Sequence, residues 1–170
     1  DGTLEHIAII NNESENSSGG GISLSNSDFY LHRVNVRDNY ARYTGGGASF
    51  GSDQFDQSTT HWSHSVFSGN SSLYNAGAFT FGDEVILEHL TVTQNSTLHG
   101  NAEASAIRGS GNIEITNSII WENTGVDGDE YQIVLGSGTL DLSYTNLSGG
   151  GESIWHSQEG EVNFGGGNIN

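Results

Sequence analysis

Residues 4–12 read LEHIAIINN and residues 87–95 read LEHLTVTQN. A Glu–His pair occurring twice in a chain with only seven histidines invites a chemical reading, as an acid–base couple or as metal ligands. It fits two copies of one structural unit equally well, and the spacing around the pair decides between the two. Both stretches close on an asparagine, as do three others, giving Asn12, Asn39, Asn70, Asn95 and Asn123. The intervals are 27, 31, 25 and 28 residues, and a further 27 reaches Gly150. Eight residues before these points stand Leu4, Leu31, Trp62, Leu87, Ile115 and Leu142. Five before stand Ile7, Val34, Ser65, Leu90, Ser118 and Thr145, and three before stand Ile9, Val36, Phe67, Val92, Ile120 and Leu147.

Apolar residues alternating with period two mark a strand with one face on a core. The extra residue between the first two inward positions marks a bend, so each unit holds two short strands meeting at a corner. A third strand follows the asparagine after a loop of variable length, as GGISL (20–24), GGASF (46–50), GAFTF (77–81), SAIRG (105–109) and YQIVL (131–135). Its inward positions, Ile22, Ala48, Phe79, Ile107 and Ile133, repeat in step with the others. Three short strands per unit over about six coils predict an all-β parallel β-helix solenoid, in which each backbone group pairs with the coil above or below. Propeller blades are longer, leucine-rich repeats need a leucine consensus, and a sandwich needs hairpin turns; none of these fits. Helical periodicity is absent and no proline interrupts the ladders. The five asparagines then form a structural ladder at a turn.

The sequence resembles the right-handed parallel β-helix repeat family of large bacterial surface and secreted proteins. GGGISL…VNVRDN (19–39) and GGGASF…SVFSGN (45–70) are similar to the GGAI and FxxN repeats of polymorphic outer-membrane proteins. NSIIWEN (117–123), LSYTNLSGGG (142–151) and GGGNIN (165–170) resemble the closing coils of secreted β-helix proteins. The resemblance covers nearly the whole chain and implies a right-handed coil and an extracellular or cell-surface location. Its members include polysaccharide lyases, glycosidases, adhesins and phage fibres, so it specifies a fold more sharply than an activity. Residues 1–170 read as a single β-helix domain, a segment of a longer exported protein. The full protein is expected to add further coils or capping domains, because open solenoid ends expose core and strand edges.

Composition narrows the partners. Twenty-one acidic residues against four arginines and no lysine give a net charge of −17. That field disfavours nucleic acid and anionic membranes, which select clustered Lys and Arg. No apolar run is long enough to insert this segment into a membrane as a helix. With no cysteine, disulfides and thiolate metal sites are excluded.

Several groups remain as candidate sites. The stacked corner residues are His6, Arg33, His64, His89, Asn117 and Tyr144, at a bend that needs left-handed backbone angles. A polar corner ladder is the simplest account of the Glu–His pairs, and His6 and His89, three coils apart, cannot share one ion. The arginine-rich unit HRVNVRDNYARY (32–43) gathers Arg33, Arg37 and Asp38 beside Tyr30, Tyr40 and Tyr43. As a catalytic group it would recruit Asp53 and Asp56 from the long loop 51–62, since glycoside hydrolysis needs two carboxylates at set separations. Family lyases use an arginine or lysine base, often with Ca²⁺. As a binding group, the three tyrosines and the arginines would hold a sugar by stacking and bidentate hydrogen bonds. Asp127, Asp129 and Glu130 form an oxygen cluster suited to Ca²⁺, although the spacing is not that of an EF-hand; a solvated acidic loop is the plainer account. The leading functional expectation is a non-enzymatic adhesin or stalk module with a polysaccharide or cell-surface glycan as partner. A polysaccharide lyase or glycoside hydrolase fragment is the alternative. Ice binding is set aside, because TVT (91–93) has no counterpart in adjoining units.

Overall fold

The computed structural model describes residues 1–51, 58–99, 104–126 and 131–169. It is an all-β parallel solenoid, in which every strand pairs in parallel with the equivalent strand of the next coil. The first sheet contains Gly2–Glu5, Phe29–His32, Thr59–Ser63, Glu84–Glu88, Ile113–Thr116, Gly138–Ser143 and Gly160–Phe164. The second contains Ala8–Ile10, Asn35–Arg37, Val66–Ser68, Thr91–Thr93, Ile119–Trp121 and Asn146–Leu147. The closing sheet contains Ile22–Ser25, Ala48–Gly51, Phe79–Phe81, Ala104–Gly109, Tyr131–Leu135 and Ile154–His156. A short fourth sheet of two-residue strands, Glu13–Ser14, Tyr40–Ala41, Ser71–Ser72 and Ser96–Thr97, lies directly after the asparagines.

The sequence repeat maps onto register. Leu4, Leu31, Trp62, Leu87, Ile115 and Leu142 are successive Cα partners across the first sheet. Ile9, Val36, Phe67, Val92, Ile120 and Leu147 are partners across the second. Ile22, Ala48, Phe79, Ile107 and Ile133 do the same in the closing sheet. These rows meet inside as one apolar column whose largest members, Trp62, Phe67 and Phe79, are fully buried. Bulk in one coil is offset by its neighbour: Ala48 lies under Phe79, and at Gly109 an added Cβ would stand 2.5 Å from the Phe81 ring. Such alternation fills the interior at the density native cores require.

The two corners explain the remaining pattern. At the first, His6, Arg33, His64, His89, Asn117 and Tyr144 all adopt φ between 50 and 55. Left-handed angles there turn the chain without lengthening it. The inward residue beyond each corner is apolar or a hydroxyl. Where it is serine, the hydroxyl satisfies the bend: Ser65 Oγ accepts the Val34 N–H at 3.0 Å and donates to the Ser63 carbonyl at 2.9 Å. Ser118 does the same for Leu90 and Thr116. At the second corner Asn11, Asp38, Gly69, Gln94 and Glu122 are left-handed, each just before a ladder asparagine.

The ladder is continuous. Asn39 donates from both its backbone N–H and its Nδ2 to Asn70 Oδ1, at 3.1 and 2.9 Å. Asn70 repeats this toward Asn95, at 3.0 and 2.9 Å, and Asn95 toward Asn123, at 3.0 and 2.9 Å. Each Nδ2 also reaches a carbonyl of the second sheet, as Asn70 does to Val36 at 2.9 Å. Position 150 is glycine and offers no side chain, so Gln132 ends the ladder instead. Its Oε1 accepts Asn123 Nδ2 at 2.9 Å and its Nε2 donates to the Asn123 carbonyl at 2.8 Å.

Candidate functional site

A solenoid offers sheet faces and corners rather than a single cleft, and the outward residues of each sheet decide what each face can do. On the second sheet the outward rows are Ala8, Asn35, Val66, Thr91, Ile119, Asn146 and Ile10, Arg37, Ser68, Thr93, Trp121. These rows carry no carboxylate, in a chain of net charge −17. Ile119 and Trp121 are 45% and 37% exposed, large apolar groups left on a flat strand surface. Arg37, Ser68, Thr93 and Trp121 run along the solenoid axis in one row, spaced by the strand separation of about 4.8 Å.

The first sheet has a divided outward face. Its early coils carry Tyr30, His32 and His61, with His6, His64 and His89 on the adjoining corner. The rings form a chain of contacts, at 6.2 Å from His6 to His32, 5.1 Å from His32 to His64 and 4.5 Å from His64 to His89. The last pair is stacked, with 15° between planes. His32 Nδ1 lies 2.9 Å from Ser63 Oγ, and His61 Nε2 lies 3.2 Å from Glu88 Oε2. His64 titrates below the ordinary imidazole value, through partial desolvation first and then the charges of His89, His32 and Arg33, with Glu88 opposing. The later coils of the same face carry Glu114 and Asp141 in the row of Tyr30 and His61, with Glu84 and Glu161 one row away.

The sequence-derived candidates do not gather. Arg33 occupies the first corner and Asp38 the second, with Arg37 between them at the end of a second-sheet strand. Four residues of extended chain place Arg33 and Arg37 roughly 13 Å apart along the backbone. Tyr30 faces outward on the first sheet and packs edge-on against His61 at 4.8 Å. Tyr40 opens a strand of the short sheet and is half-buried. Tyr43, in the turn beyond, stacks on Tyr74 at 6.3 Å with 13° between rings. The three tyrosines therefore serve three different surfaces. Asp53, Asp56, Asp127, Asp129 and Glu130 lie outside the described residues. Among the described residues no three His, Asp or Glu side chains converge as a metal ion would require. No helix among them is long and apolar enough to cross a membrane. Trp121 and Ile119 were not visible as site residues in the sequence, where they occupy ordinary strand positions of NSIIWEN.

No family model, curated protein or solved structure matches this chain.

Proposed function

We propose that this chain is a non-enzymatic β-helix module of a bacterial surface or secreted protein, of adhesin or stalk type, that holds an extended glycan on its second sheet. The observation carrying this reading is the row Arg37, Ser68, Thr93 and Trp121, in register on strands whose outward rows hold no carboxylate, with Asp38 and Glu122 at the corner beside them. An indole presents a broad apolar plane to a sugar ring, while hydroxyls and a guanidinium answer sugar hydroxyls with oriented hydrogen bonds. Donors set one per coil and ending on a single ring suit a ligand that itself runs along a line. The wide placement of Arg33, Arg37 and Asp38 favours binding over cleavage, because acid–base work needs its groups within reach of one bond. The glycine-rich and FxxN-like repeats support kinship with polymorphic outer-membrane proteins, and with it a right-handed coil and an exposed location.

Affinity electrophoresis through gels containing soluble neutral or acidic polysaccharides tests this directly. A retarding polymer is expected, with no release of reducing ends or unsaturated products. Trp121→Ala should weaken retardation about tenfold or more, as expected for loss of the row's aromatic anchor. Retardation unchanged in Trp121→Ala, or turnover of the polymer, overturns the assignment.

A further inference from the structure

Four of the seven histidines, His6, His32, His61 and His64, lie on the first three coils of the first sheet's outward side and its corner, His89 lies on the fourth, and the last three coils carry Glu114, Asp141 and Glu161. The arrangement has a symmetry of its own. The sheet has seven strands, and the fourth, Glu84–Glu88, is its midpoint. Turning a second copy about an axis parallel to that strand sets the third strand against the fifth and the second against the sixth. His61 then faces the second copy's Glu114, Tyr30 faces its Asp141, and Ile86 meets Ile86 on the axis. These residues are all members of one row.

We infer that this face is a proton-gated interface at which two copies of the chain dock as a two-fold dimer in mildly acidic solution. Such an interface is isologous, so every complementary contact is made twice. Charge supplies the gate. With neutral imidazoles, six carboxylates (Glu5, Glu84, Glu88, Glu114, Asp141 and Glu161) share the face and its corner with one arginine, Arg33. Two such faces repel. Protonating the histidines leaves the first three coils with five cations, His6, His32, Arg33, His61 and His64, beside Glu5, while the last three coils carry Glu114, Asp141 and Glu161. Glu84, Glu88 and His89 lie on the midpoint strand and its corner and would meet their own copies near the axis, where Glu88 is held by His61 at 3.2 Å. Asp28 and Asp83 border the face at the turns entering it, and both are engaged locally, Asp28 with the Thr59 N–H and Asp83 with Ser58 Oγ. The adjoining row of the second sheet, from Ala8 to Asn146, adds no titratable group; Arg37 stands beyond it. This inference is independent of the glycan reading, which concerns the second sheet.

Sedimentation velocity of the 170-residue chain at pH 7.5 and pH 5.0, in about 20 mM and 500 mM salt, decides it. The expected result is a monomer at pH 7.5 and a discrete dimer at pH 5.0 in low salt, dissociated at high salt where charges are screened within about 3–5 Å. Glu114→Gln/Asp141→Asn and His32→Gln/His61→Gln should each weaken the dimer about tenfold or more. His156→Gln, on the closing sheet, should leave it unchanged. The acidic-half variant separates docking from general association near the isoelectric point of about 4.3. It removes negative charge, so unspecific association would persist or grow. A monomer at pH 5.0, or association that Glu114→Gln/Asp141→Asn leaves intact, overturns the inference.

Discussion

Each coil turns two corners on exposed, varied left-handed residues, and only the second repeats one polar side chain directly beyond the bend. Beyond the second corner the asparagines from Asn39 to Asn123 are buried, identical from coil to coil, and saturated with hydrogen bonds. At the first, the side chains are exposed and varied, His6, Arg33, His64, His89, Asn117 and Tyr144, with only the left-handed angle in common. The backbone therefore fixes conformation at both, and burial alone fixes identity. A buried polar group tolerates only a side chain that satisfies it and its neighbours. An exposed corner leaves the residue open to other uses, among them the charge pattern of the first sheet.

The sharpest way to break this contrast is Asn70→Ala. It orphans the buried Asn39 backbone N–H, takes one of two acceptors from Asn39 Nδ2, and removes the Nδ2 donor from the Val36 carbonyl and from Asn95 Oδ1, which keeps the residue-70 N–H. Orphaned buried groups cost about 1–3 kcal/mol apiece, so a loss of about 3 kcal/mol or more is expected in urea unfolding. Next comes Gln132→Ala, which releases only the last asparagine of the ladder. A loss of about 1–2 kcal/mol by the same measurement is expected, and no loss would show that the ladder needs no terminus. Smallest is His64→Asn, which keeps a residue suited to left-handed angles and removes the imidazole. At pH 7.5 the midpoint of urea unfolding should stay close to that of the wild type, as for an ordinary surface substitution. Because the folded protein lowers the His64 pKa, the unfolded chain takes up the proton first as pH falls through the ordinary imidazole value of about 6.5. Wild type should therefore lose stability relative to the variant below that pH, measured dilute enough to keep the chain monomeric.

The fold was readable because inward residues recur at fixed offsets from an asparagine, and register in a half-buried strand admits no slip. Leu87 and Val92 could be placed before any coordinates, and so could the ladder. The short sheet was not readable: strands such as Ser71–Ser72 and Tyr40–Ala41 are too brief to show a period. Gln132 was hidden for a different reason. It caps the ladder from the closing sheet, nine residues beyond Asn123, where no repeat predicts it. Outward residues carry the least signal of all, because solvent imposes no spacing on them. Tyr30 and Tyr43 are close in sequence yet point from different surfaces, whereas Arg37 and Trp121, far apart in sequence, share a row.

The ladder also has a direction. Every link donates from the earlier coil and accepts in the later one, from Asn12 through Asn39, Asn70, Asn95 and Asn123 to Gln132. The amide dipoles are thus aligned head to tail along the axis, and each polarises the next. A break in the middle leaves two short, weaker arrays, whereas a break at Asn12 only shortens one. Identical substitutions should therefore cost different amounts according to their place in the series, as in a wire rather than a set of rivets.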